Sequence, residues 1–86
     1  MKEFVYTITD PLGIHARPAG MLAKLAKEYD GTEITITKED KVVKAVQLMK
    51  LMGLGVKQGD KVTVSADGAN EDAALSAMKE FFQENL

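Results

Sequence analysis

The sequence predicts an α+β fold in which a four-stranded antiparallel sheet is covered on one face by three helices (βαββαβα). Two observations carry this expectation. Apolar residues alternate with period two over 4–9, 32–37 and 61–66 and in the short pair Val42-Val43, whereas three other stretches show helical spacing. The segments follow one another as strand, helix, strand, strand, helix, strand, helix, with short turns and no parallel crossover implied between the middle strands.

Each element has its own justification. Phe4, Tyr6 and Ile8 alternate with Val5, Thr7 and Thr9, so the first strand spans 4–9 with one face buried, and Asp10-Pro11-Leu12-Gly13 breaks it. Pro18 fits the first turn of a helix, where its missing N–H has no intrahelical partner, and Ala19 to Lys27 is rich in helix formers. Ala19, Leu22, Ala23, Ala26 and Tyr29 share one face, and Asp30-Gly31 ends the helix. Thr32 to Thr37 follows with Ile34 and Ile36 inward, and Lys38-Glu39-Asp40 turns into Val42-Val43 as a hairpin. A short helix is expected over Val46 to Met52, stopped by Gly53-Leu54-Gly55. Gln58-Gly59-Asp60 leads into a strand over Lys61 to Ala66, and Asp67-Gly68 turns again. Asn70 then caps a closing helix with Glu71 and Asp72 in its first turn and Ala74, Leu75, Met78, Phe81 and Phe82 as its apolar stripe.

Eighty-six residues suit one domain over 1–86 with a single two-layer core, too small for a deep catalytic cleft, so a carrier or binder is expected. The absence of cysteine excludes disulfide scaffolds and thiolate metal sites, and the lone histidine excludes a multi-histidine metal site. No apolar run approaches the ~20 residues that cross a bilayer, and the polar start Met1-Lys2-Glu3 does not suit a signal peptide, so no membrane insertion and a cytoplasmic location are expected. A net charge of −2 with lysines and acids interspersed offers no general nucleic-acid footprint.

Chemistry concentrates in Gly13-Ile14-His15-Ala16-Arg17-Pro18-Ala19, which holds the only histidine, the only arginine and one of two prolines. His15 stands at a helix entrance, where Ser, Thr, Asp or Asn would stabilise better by accepting the orphan N–H groups. Those groups, the positive end of the helix dipole and the Arg17 guanidinium suit a phosphate or carboxylate arriving at the ring. A lone histidine is more often an inert surface or capping residue, and the context of Gly13, Arg17 and a helix start outweighs that reading. A neutral imidazole could then act as nucleophile without a separate base. Farther on, Leu48, Met49, Leu51 and Met52, together with Met21, are too many apolar residues for one buried side of so short a helix. They belong either to the core, as Leu48 suggests, or to an exposed patch rimmed by Lys24, Lys27 and Lys50.

The run Gly, aliphatic, His, small, Arg, Pro, Ala over Gly13 to Ala19 resembles the active-site motif of the HPr family, the histidine phosphocarriers of the bacterial sugar phosphotransferase system. The likeness extends from the first strand through Leu54-Gly55-Val56 to the last helix. It implies an open-faced β-sandwich and a phosphocarrier with a phosphohistidine intermediate rather than a stand-alone enzyme. His15 Nδ1 would take a phosphoryl group from phospho-enzyme I and pass it to enzyme IIA proteins, with Arg17 also catalytic and Ala16 and Arg17 binding the phosphoryl group. No cofactor beyond that covalent group and no metal are implied. Gly20, Met21, Lys24, Lys27, Met49, Lys50 and Met52 would form the partner-binding face of a protein that acts as a monomer. One departure matters: Gln47 stands where many members carry a serine phosphorylated by a regulatory kinase, which puts the co-repressor role in doubt. The alternatives are a regulatory adaptor of the same fold, a nitrogen-branch phosphocarrier, or a small module binding an anionic metabolite or RNA. An adaptor needs neither His15 nor Arg17, and the chain lacks an aromatic platform for RNA.

Overall fold

The computed structural model describes residues 1–86. Its elements are β1 (Lys2–Thr7), α1 (Ala16–Lys27), β2 (Thr32–Lys38), β3 (Lys41–Lys44), α2 (Leu48–Gly53), β4 (Lys61–Gly68) and α3 (Glu71–Asn85). The strands form one sheet in the order β1-β4-β2-β3, and every neighbouring pair is antiparallel.

Alternation dictates the two faces. Phe4 pairs with Val64, Val64 with Ile36 and Ile36 with Val43, so one apolar row crosses all four strands on the helix side. Its counterpart on the other side, Val5, Thr63, Thr37 and Val42, faces solvent. The core gathers the buried face of the sheet with Leu22 and Ala26 of α1, Leu51 of α2 and Ala74, Met78, Phe81 and Phe82 of α3. Phe82 is fully buried and meets Phe4 and Tyr6 edge to face, with ring centroids 6.0 and 5.4 Å apart. No helix is long and apolar enough to cross a membrane.

Several expected boundaries move. The first strand begins at Lys2 and ends at Thr7, although Ile8 stays buried and exchanges backbone bonds with Gly59 and Asp60. Strand β4 continues through Asp67-Gly68, which the sequence marks as a turn, because Asp67 pairs with Glu33 and Gly68 with Thr32. Ladder pairing overrides the turn propensity there, and glycine is required: Gly68 has φ 150°, and a Cβ would lie 2.3 Å from the Gly31 carbonyl oxygen. Helix α2 starts at Leu48 rather than Val46, since the chain first turns with the Gln47 N–H donating to the Lys44 carbonyl. Asn70 occupies the N-cap of α3, but its side chain makes no cap bond; its own N–H donates to Thr32 Oγ1 at 3.0 Å. Tyr29 lies beyond the end of α1 and is half-buried.

Candidate functional site

Gly13 sets the geometry of the loop between β1 and α1. It adopts φ 66°, and a Cβ there would lie 2.1 Å from the Val56 carbonyl oxygen. Its N–H donates to the Asp10 carbonyl at 3.0 Å, and the buried Ile14 donates to the Val56 carbonyl at 3.3 Å. The segment 54–60 thus serves as a floor for the loop. The floor is itself clamped, with Lys38 Nζ donating to the Gly55 carbonyl at 2.9 Å and pairing with Asp60 Oδ2 at 3.1 Å. The N–H of Lys57 donates to the same carboxylate oxygen at 2.9 Å. That N–H, with the Lys38 ammonium second, holds the Asp60 carboxyl below its ordinary value.

The chain then reaches His15 as the N-cap of α1, with extended backbone (φ −103°, ψ −177°) and no side-chain cap bond. The His15 carbonyl accepts the first helical bond from Ala19 at 2.9 Å. The N–H groups of Ala16 and Arg17 find no acceptor within the chain, Pro18 has none to offer, and no acid lies in the first turn. An uncompensated positive helix end therefore sits beside the imidazole. The ring is 35% exposed, in a shallow depression of 170 Å³ that Arg17, Pro18 and Met21 line with it.

Sequence reasoning missed three residues of this depression: Asp10, Glu84 and Asn85. Asp10 reads as a turn former, yet its Oδ1 lies 3.9 Å from His15 Nε2. Glu84 and Asn85 arrive from the far end of α3. Their neighbour Leu86 is buried, and its carbonyl oxygen accepts from the Thr9 and Asp10 N–H groups and from Thr9 Oγ1. Nothing in a local pattern announces a contact between residues so distant in the chain.

The expected partner-facing residues lie on α1 and α2, which pack against each other. Met21, Met49 and Met52 are exposed, Met49 by 77%, and Lys24, Lys27 and Lys50 are exposed as well. Gly20 is half-buried, with open space where a Cβ would point. Leu48, offered to the core by its pattern, is exposed instead, and Leu51 alone anchors α2. Gln47 is the N-cap of that helix.

Comparison with known proteins agrees with the geometry. A family model described as the PTS HPr component phosphorylation site matches residues 2–84. The chain is 40% identical over 86 residues to the phosphocarrier protein HPr of Mycoplasma genitalium, covering 99% of this chain and 97% of that protein. Among solved structures, a histidine-containing phosphocarrier protein of Mycoplasma superposes with a TM-score of 0.92 at 36% identity, covering 96% of this chain and 93% of the other. HPr of Thermoanaerobacter tengcongensis gives 0.91 at 36% identity, covering 98% and 93%. With a matched phosphorylation-site model, near-complete coverage and a half-buried histidine at an uncapped helix start, this chain belongs to the HPr family of phosphocarriers.

Proposed function

We propose that His15 is the phosphoryl acceptor through which this phosphocarrier works, receiving from phospho-enzyme I and delivering to enzyme IIA proteins. The observation that carries this reading is His15 at an N-cap whose helix leaves the Ala16 and Arg17 amides free, with the Arg17 side chain lining the same depression. The neutral ring attacks through the electron pair of Nδ1 while the proton stays on Nε2. The P–N bond to the donor histidine breaks as the new one forms, and the electron pair returns to the donor ring. The phosphoryl oxygens turn to the two free amides and the Arg17 guanidinium, the donors that best match them.

The shallowness of the site suits a carrier, because both a donor and an acceptor protein must reach the same nitrogen. So does its modest hold. A helix N-terminus favours an anion by ~0.3–2 kcal/mol, enough to orient the group without trapping it. Docking falls to Gly20, Met21, Lys24, Lys27, Met49, Lys50 and Met52, where unbranched, adaptable methionines let one face meet successive partners. Residues 1–86 act as one HPr-like domain, a monomer of the cytoplasm, with no metal or cofactor beyond the covalent phosphoryl group. Gln47 cannot accept a phosphoryl group, so the serine-based regulatory branch is closed to this protein.

A reconstituted relay tests the reading. Labelled phosphoenolpyruvate, magnesium, enzyme I and a panel of enzyme IIA proteins are combined with and without this protein. Label reaching an enzyme IIA only when this protein is present supports the proposal; label that never passes beyond enzyme I contradicts it.

A further inference from the structure

Asp10 is held too firmly to be an incidental surface acid. Its N–H donates to the Leu86 carbonyl at 2.9 Å, its carbonyl accepts from Gly13 at 3.0 Å, and its Oδ1 accepts the Leu12 N–H at 2.8 Å. The oxygen fixed in this way is the one that lies 3.9 Å from His15 Nε2. That separation is beyond a hydrogen bond and within the range of a direct charge interaction.

We infer that Asp10 is a positioning residue for phosphoryl transfer, its carboxylate setting which ring nitrogen of His15 carries the proton and facing the positive charge that the ring gains on phosphorylation. The inference rests on His15 being the acceptor. An ionised carboxylate only accepts hydrogen bonds, so it favours an N–H over a lone pair on the nitrogen that faces it. The proton is thereby kept on Nε2, and the Nδ1 electron pair is left for the incoming phosphorus. When the Nδ1–P bond forms, the Nε2 proton remains and the ring becomes cationic. When the bond breaks toward the next acceptor, the electron pair returns to Nδ1 and a neutral ring is left. Asp10 stabilises the cationic stage from the side of the ring opposite the new bond. The other charged groups lining the depression are Arg17 on α1 and Glu84 on α3, and Glu84 forms no ion pair with the ring.

Asp10→Asn separates this role from turn formation, because asparagine keeps an oxygen for the Leu12 N–H but carries no charge, whereas Asp10→Ala removes both. Ring-nitrogen NMR of the unphosphorylated protein reads the tautomer, and steady-state assays with enzyme I read kcat and KM for this protein as acceptor. The expected result is a shift of the neutral ring away from the Nε2–H form in Asp10→Asn, with kcat lowered ~2–10-fold and KM unchanged, since the docking face is untouched. Wild-type tautomer and kcat in Asp10→Asn, with a loss confined to Asp10→Ala, would make Asp10 a turn anchor and overturn the inference. An unaltered protein that accepts no phosphoryl group would instead overturn the carrier reading, and the tautomer measurement would still decide whether Asp10 sets the ring.

Discussion

Gly13 and Gly20 are both glycines of the His15 motif region, and they are expected to respond to alanine in opposite directions. At Gly13 the positive φ and the Val56 carbonyl, 2.1 Å from the would-be Cβ, leave no room. Gly13→Ala should cost ~1–3 kcal/mol in thermal or denaturant unfolding and impair phosphoryl acceptance, because the displaced loop carries His15. Gly20 lies inside α1 with nothing within 4 Å of its would-be Cβ, so Gly20→Ala should stabilise by up to ~1 kcal/mol in the same melts. A Gly13 variant as stable as the parent would show that the loop does not need this glycine. At this scale His15 and Arg17 were legible because their types and spacing are incongruous with ordinary capping. Asp10 was not, since an Asp before Pro reads as a turn whether or not its carboxylate faces a ring, and the two nearby α3 residues depend on tertiary folding alone.

The elements around the site divide the labour between support and docking. Support comes from segment 54–60, where Asp60 accepts from the Lys57 N–H and from Lys38. Its carboxyl is depressed below an ordinary value of 3.8 in the fold, so its contribution to stability is complete above that value and is lost as the pH falls below it. Between about pH 5 and about pH 2 the melting temperature should therefore drop further in the parent than in Asp60→Asn; equal drops would mean the clamp contributes nothing. Docking is the role proposed for α1 and α2. Lys50→Glu should weaken enzyme I binding most at low salt, because exposed charges are screened beyond ~8 Å at physiological ionic strength, whereas Met49→Ala should weaken it at every salt concentration. Calorimetry showing neither effect would remove α2 from the interface. The existence of α2 was legible in its spacing, but its start and the exposure of Leu48 were not, because a helix of six residues gives too few turns to define its buried side.

Across the whole molecule, α3 brings Leu86 to the loop that carries His15, whereas the Met1 ammonium pairs with Asp67 and Glu71 away from the site. β1 pairs with β4, α3 covers both, and Leu86 closes onto Thr9 and Asp10. Phe82 is the joint of this arrangement, touching Phe4, Tyr6 and Phe81, so Phe82→Ala should cost ~3–5 kcal/mol and lower the melting temperature sharply while leaving the exposed residues of α1 and α2 in place. The fold class followed from alternation and element order, both local properties. The strand order β1-β4-β2-β3 did not, because it rests on pairings that local periodicity cannot assign. The central claim is that one half-buried ring at an uncapped helix start carries the phosphoryl group. It is tested most directly by intact-mass measurement under alkaline conditions after incubation with phosphoenolpyruvate, magnesium and enzyme I, for the parent and His15→Ala side by side. The account predicts an acid-labile gain of one phosphoryl group on the parent and none on a His15→Ala protein whose circular dichroism and melt are unchanged; the same gain on both would contradict it.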